Sequence, residues 1–364
     1  MGRGRLPRAR TGKRLVNQPT GFPAFFGSRR KPRVITSDVW AFLRNHSQKV
    51  LKGEAETKAL AYIDQAFEFY EAGANPRISS RPVLYYYSFL NLVKLLLIHR
   101  NIALPPAVRH GISDPKANIR RRLRFESQAV RVEVGASDHS NLFPELIGAL
   151  SGKSLRRPAV FLVKDLMAQI PGIHRTYCQV VDWEPIFCPL YATEILSGGS
   201  SVWVRIRLKR HGTDVNKTLP KLRNLSEFER VLTQVEPHDA DNEVWFETKT
   251  PVPGSRKGID AAIRVLWKQI QSCGVWALLT GDGYRYYLGD VPAARRFPQL
   301  CSAYAIMFYL GSLTRYKPYD FDKIIKRDYA WLVSEFLETQ PLQFVYVLAS
   351  TISGVDVVRP FALP

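Results

Sequence analysis

The sequence predicts an α+β fold: helical N-terminal and C-terminal regions packed together, with a central mixed α/β region containing antiparallel strands. Three observations carry this. Apolar residues recur at helical spacing from Ser37 to Arg100 and again from Gln299 onward, whereas Ser201 to Arg210 alternates with period two. The third is Gly281-Asp282-Gly283, a tight-turn signal between two strand-like runs. A chain of 364 residues that is 46% hydrophobic and 12% aromatic can bury a core, and its length suits two or three structural units. The expected division is a basic flexible arm over 1–34, a helical region over 35–155, a strand-containing region over 156–290 and a closing helical region over 291–364.

In chain order, Ser37 or Asp38 caps a first helix whose opening turns carry Val39, Trp40, Phe42 and Leu43. A second runs from about Glu54 to Glu71, with Leu60, Ala61, Ile63, Ala66, Phe67 and Tyr70 at helical spacing, and Gly73 to Pro76 ends it. The third, Arg81 to Arg100, is apolar nearly all round and belongs in the middle of a bundle. Its polar exceptions Ser88, Asn91 and Lys94 share one stripe, which faces either a polar groove or another helix. Ala129 to Val134 reads as a strand, and Asn141 to Leu150 and Ala159 to Ile170 as short helices. Glu243 to Lys249 and Trp276 to Leu288 read as strands, with Ile259 to Cys273 helical between them. Helices over Gln299 to Arg315, Tyr329 to Thr339 and Leu342 to Ser353 close the chain.

Lys and Arg number 52 against 32 Asp and Glu, a net charge of +20. Ten of these cations, Arg3, Arg5, Arg8, Arg10, Lys13, Arg14, Arg29, Arg30, Lys31 and Arg33, precede the first acidic residue, Asp38. Gly, Pro and Arg dominate this stretch without any period, the composition of an arm that cannot fold alone and suits a polyanion. A solubilising tail or an upstream start codon would look the same. In the body, Arg120, Arg121, Arg122 and Arg124 cluster ahead of a strand. The alternating strand sets Trp203, Arg205, Arg207 and Lys209 against Val202, Val204, Ile206 and Leu208. One face packs; the other offers an aromatic and three cations, as a sheet needs to hold phosphates and stack a base. Solvated loops and strand faces carry charge too. With Arg29, Arg30 and Lys31, these are the expected nucleic-acid-binding residues, for DNA or RNA.

Cys178, Cys188, Cys273 and Cys301 stand too far apart for a CxxC pair and are too few for a disulfide framework, so a reduced, cytoplasmic protein is expected. The longest apolar run, Val83 to Ile98, falls short of a membrane span and contains Lys94, so no membrane partner is expected.

Enzyme signals are thin. Glu247-Thr248-Lys249 with Asp239 or Asp241 upstream loosely fits the carboxylate, carboxylate and lysine set of metal-dependent nucleases, with Mg²⁺ as cofactor on that reading alone. A surface ion pair fits equally well. The histidines include no HExxH and no metal-ligand spacing, so no other metal or cofactor is expected. His99 and His110 each neighbour an arginine, an arrangement that would serve 2′-hydroxyl attack on a phosphodiester, although single histidines in such places are usually structural.

Two stretches resemble a known family. Arg81-Pro82-Val83-Leu84-Tyr85-Tyr86-Tyr87-Ser88 through Asn91-Leu92-Val93-Lys94, followed by Arg109-His110-Gly111, is similar to the N-terminal signature of the YaaC-like family of bacterial proteins. Tyr287-Leu288, Phe297-Pro298-Gln299-Leu300, Tyr304 to Leu313, Arg315-Tyr316-x-Pro318 and the Trp331 to Phe336 and Pro341 helices resemble its closing helical region. The resemblance runs in order over residues 37 to 360 and leaves the arm outside. It implies a cytoplasmic bacterial protein with no established catalytic residues, some of whose relatives occur near phage-defence genes. The helix carrying Tyr86, Tyr87, Ser88, Leu92 and Lys94 also resembles the second helix of HEPN domains, many of which are ribonuclease toxins with an Arg and a His a few residues apart. Here such a spacing occurs at Arg205 to His211, on a predicted strand, so a HEPN-like bundle in this chain would bind rather than cut. The leading expectation is a non-enzymatic, nucleic-acid-binding component of an anti-phage system. A nuclease, or a scaffold for an acidic protein partner in a defence complex, are the alternatives.

Overall fold

A computed structural model describes the chain except residues 1–5, 16–32, 75–78, 106–107, 116–124, 135–140, 153–154, 184, 210–229, 237–242, 255–258, 272, 282, 290, 292–295, 326–328 and 361–364. Helices are α1 (Val39–Val50), α2 (Glu54–Ala74), α3 (Arg81–His99), α4 (Leu142–Ser151), α5 (Val163–Ala168), α6 (His174–Val181), α7 (Ile259–Gln271), α8 (Gln299–Tyr316), α9 (Pro318–Ile325) and α10 (Ala330–Ser353). Strands are β1 (Lys13–Arg14), β2 (Arg33–Ile35), β3 (Ile112–Ser113), β4 (Ala129–Val132), β5 (Ala159–Leu162), β6 (Phe187–Gly198), β7 (Ser201–Lys209), β8 (Leu232–Val235), β9 (Glu243–Thr248), β10 (Val252–Pro253), β11 (Val275–Thr280), β12 (Gly283–Gly289) and β13 (Asp356–Val358). This is the predicted α+β arrangement. Two compact units divide the chain: a helical unit of residues 36–184 and 297–353, and a sheet unit of residues 1–35, 185–296 and 354–364.

In the helical unit the Asp38 carboxylate accepts from the N–H groups of Trp40 and Ala41 at 3.0 and 2.9 Å, which satisfies two of the open donors of α1. Helix α3 is buried along most of its length and packs on α2, α8 and α10. Phe89 of α3 lies parallel to Phe344 of α10 with ring centroids 3.7 Å apart. The polar stripe of α3 faces another helix: the Ser88 hydroxyl donates to the Ala66 carbonyl at 2.8 Å, and the Asn91 amide donates to Gln65 at 2.9 Å. Among the described residues α3 alone is long and apolar enough to cross a membrane, and two thirds of its most apolar stretch (67%) is buried inside the protein.

Two predicted segments take another form, and β6, α6 and α9 are elements that the sequence reading did not name. Ala159–Leu162 is a strand paired antiparallel with β4, and the helix begins only at Val163. Four apolar residues are too short to show a period, so the partner strand decides their state. The two closing helices are one, because α10 runs through Pro341 without a break. Proline costs a helix interior about 3 kcal/mol, and Pro341 is buried among Leu337, Gln340 and Phe344, where packing offsets that cost.

In the sheet unit the strand order is β11-β12-β6-β7-β9-β8, antiparallel throughout, with β10 added to β7 and β1 to β6. Strands β2 and β13 pair parallel as a separate ribbon.

Candidate functional site

The strand expected to present cations is β7, and the structure buries both of its faces. Val202, Val204, Ile206 and Leu208 are buried as predicted, but so are Trp203 at 3% exposure and Arg205 at 7%. The cover comes from the expected arm. The Ala9 N–H donates to the Glu236 carbonyl at 3.2 Å, just past β8, and the Leu15 N–H donates to Ile195 of β6 at 2.8 Å. Residues 7–15 therefore link the end of β8 to β6 and close the curled sheet on itself. Under this closure the fully buried Glu247 carboxylate accepts from Arg205 Nε at 2.9 Å, from Arg205 Nη2 at 2.6 Å and from the Arg10 N–H at 3.2 Å. Arg205 Nη2 also donates to the Arg10 carbonyl at 2.6 Å, and its guanidinium lies 4.6 Å from the Trp245 ring centroid. Arg14 pairs with Glu194, and half-buried Arg207 pairs with Glu243 at 3.4 Å.

This corrects three expectations. Residues 7–15 are part of the sheet rather than a free arm. Trp203 and Arg205 are interior groups, because a buried arginine needs its carboxylate and that carboxylate is here. Glu247 is enclosed by arginine donors, so it does not stand open to a metal ion, and no group of three His, Cys, Asp or Glu able to hold a metal occurs among the described residues. Lys249 is exposed next to it. Asp239, Arg29, Arg30, Lys31, Arg120, Arg121, Arg122, Arg124 and the side chain of Lys209 lie outside the described residues.

A second grouping lies in the helical unit and is built from the stretches that carry the family resemblance. The carbonyls of Arg109 and His110 accept from the N–H groups of Leu142 and Phe143 at 2.9 and 3.1 Å, so this turn caps α4. Gly111 has φ +69°, and a Cβ there would come within 2.6 Å of Pro144, so this turn requires glycine. The turn holds the exposed His110 ring with Nδ1 2.6 Å from the Tyr86 hydroxyl. Burial pushes Tyr86 up to about 12, so its phenol keeps its proton.

Arg315, near the end of α8, is brought to the same place by a close helix crossing. A Cβ on Gly311 would lie 3.2 Å from the Pro82 carbonyl oxygen and 3.3 Å from Tyr86 Cβ. The Arg315 guanidinium lies 5.4, 5.7 and 5.1 Å from the ring centroids of Tyr86, Tyr87 and Tyr316, and Nη1 donates to the Tyr87 hydroxyl at 3.2 Å. Lys94 stands two turns along α3 from Tyr87, with Nζ 5.1 Å from the Tyr62 ring centroid. Partial burial lowers the His110 pKa, and the positive charges of Arg315 and Lys94 lower it further, so the ring is neutral at pH 7. Among the described residues no carboxylate pairs with Arg315 or Lys94; the nearby Asp114 takes Lys317 at 2.7 Å. Tyr316 at the end of α8 and Tyr319 in α9 are 71% and 70% exposed, and Lys323 lies 4.1 Å from the Tyr319 ring centroid.

The other expected histidine is internal. Ser47 Oγ lies 2.9 Å from His99 Nε2, and the ring stacks on His46. Burial brings His99 down to about 4.

The sequence reading named His110 as a candidate and missed Arg315 and Tyr316 as its neighbours. Their co-occurrence in the two resembling stretches was the only available signal, because more than 200 residues separate them. A family model described as YaaC-like Protein matches residues 24–352. No curated protein and no solved structure matches the chain at a significant level.

Proposed function

The chain belongs to the YaaC-like protein family, and we propose that it binds nucleic acid through the tyrosine and arginine face of its helical unit. The observation that carries this is Arg315 set among three tyrosine rings with no carboxylate partner among the described residues, beside the exposed Tyr316 and Tyr319 and the Lys323 stacked on the latter. Bases stack on exposed tyrosines whatever their sequence, and the adjacent cations hold the phosphates. The net charge of +20 adds a long-range attraction for any polyanion. The Arg120 to Arg124 cluster and the Arg29 to Lys31 run enter this reading by charge alone.

Fluorescence anisotropy with labelled single-stranded RNA, single-stranded DNA and duplex DNA across a salt series tests it. The logarithm of affinity should fall linearly with the logarithm of salt concentration. Tyr316→Ala combined with Tyr319→Ala should weaken binding by about tenfold or more, given roughly 1 to 3 kcal/mol per stacked base. Absence of binding at low salt, or binding indifferent to salt, overturns the proposal. Following the resemblance, we extend it to anti-phage defence. Cells carrying the wild-type gene should then resist phage, and cells carrying Arg315→Ala should not.

The neutral His110 beside Arg315 favours one second reading, metal-independent RNA cleavage with the imidazole as base and the guanidinium on the phosphate. Cleavage in EDTA that disappears in His110→Ala would support it; intact RNA under all conditions removes it.

A further inference from the structure

We infer that Lys94, His110 and Arg315 form a site for a phosphate monoester, the phosphorylated end of a strand or a mononucleotide, rather than for an internal phosphodiester. The inference deepens the nucleic-acid reading and rests on it. Arg315 and Lys94 are both half-buried, and no described carboxylate answers either. Two fixed positive charges without a counterion match the near-double negative charge of a monoester better than the single charge of a diester.

The donors also count correctly. Arg315 Nε is engaged by the Gly311 carbonyl and Nη1 by Tyr87, which leaves Nη2 and the second Nη1 hydrogen. Tyr87 accepts from Arg315, so its own hydroxyl hydrogen is free to donate outward. Tyr86, kept protonated, can donate to Nδ1 of His110, which puts the imidazole hydrogen on the outer Nε2. Arg315 Nη2, Tyr87 Oη and His110 Nε2 thus supply donors around the Tyr86 hydroxyl, and the Lys94 charge, which reaches His110, adds to the field there. A diester has only two unesterified oxygens and would leave part of this set unanswered. Half-buried cations with no described carboxylate to answer their charge are costly, and a dianion relieves that cost. The exposed Tyr316 ring beside Arg315 then lies where the terminal base would stack.

The test uses the full chain and one short RNA in three forms: 5′-phosphorylated, 3′-phosphorylated, and hydroxyl at both ends. Adenosine monophosphate and inorganic phosphate serve as competitors. One phosphorylated form should bind about tenfold more tightly than the hydroxyl form. Lys94→Gln and His110→Gln, each with a native melting curve, should bring that ratio close to one. Competition by the mononucleotide but not by inorganic phosphate would show that base and phosphate are both read; competition by both would assign the site to the phosphate alone. Equal affinity for phosphorylated and hydroxyl ends overturns this inference and leaves nucleic-acid binding standing. So does a preference that survives in both variants. Lys94-dependent binding of the mononucleotide with no binding of any oligonucleotide would do the reverse.

Discussion

Two groups of cations, one in each unit, are handled in opposite ways. In the sheet unit Arg10, Arg14, Arg205 and Arg207 are turned onto Glu194, Glu243 and Glu247, so the charges are consumed by the protein's own closure. In the helical unit Arg315, Lys94 and Lys323 lie against aromatic rings and meet no described carboxylate. A cation on an aromatic face keeps most of its field, whereas one bonded to a buried carboxylate presents little of it outward. Of these two groups, the one that leaves its charge unanswered by a described carboxylate is on the helical unit, not on the alternating strand.

The sharpest way to break this contrast is Glu247→Ala. It strands Arg205 in the interior and should cost the sheet unit about 3 to 5 kcal/mol in urea unfolding. Replacing the pair together, with Arg205→Met and Glu247→Leu, should recover most of that loss, which a functional role for Arg205 would not predict.

Acid should act on the other unit. His174 is buried, with Nδ1 3.0 Å from the Ala168 carbonyl, and burial lowers it to about 4, against 6.5 when exposed. The unfolded chain then binds the proton more readily, so this contribution is complete above pH 6.5 and is lost as pH falls toward 4. At pH 5 it removes about 2 kcal/mol, from a slope of about 1.4 kcal/mol per pH unit. Helical circular dichroism melts at pH 7.5 and pH 5 should show the difference, and His174→Asn should remove its share and leave that of His99, which burial also brings to about 4.

Binding variants sharpen the comparison further. Arg315→Gln should weaken RNA binding about tenfold, some 1.4 kcal/mol, with the melting curve unchanged. Arg205→Glu should unfold the sheet unit before it reports on binding at all, and circular dichroism alongside the binding curve separates the two. The smallest effect belongs to Tyr87→Phe, which removes the hydroxyl that orients Arg315. It should cost about 0.5 to 1.5 kcal/mol of affinity.

Much of the fold was legible because its signals are local. The Asp38 cap, the apolar circumference of α3, the alternation of β7 and the glycine turn between β11 and β12 each lie within a few residues. Strand β6 escaped notice, and Ala159–Leu162 was read as helix, because a strand's partner lies elsewhere in the chain and no short window contains it. Of the candidate site, only His110 was named, with Lys94 recorded as a polar exception on a buried helix.

By itself, then, the sequence determined the α+β class, the central helix, the alternating strand and the excess of positive charge. These follow from periodicity and composition, which depend on neighbours along the chain. The tertiary structure decided which of those charges are available. Residues 7–15 cover Arg205 because the curled sheet needs a closing strand, and the crossing of α3 with α8 at Gly311 sets Arg315 beside Tyr86 and His110. Both outcomes depend on which elements pack together, and a charge's environment is set by that packing rather than by its position in the sequence.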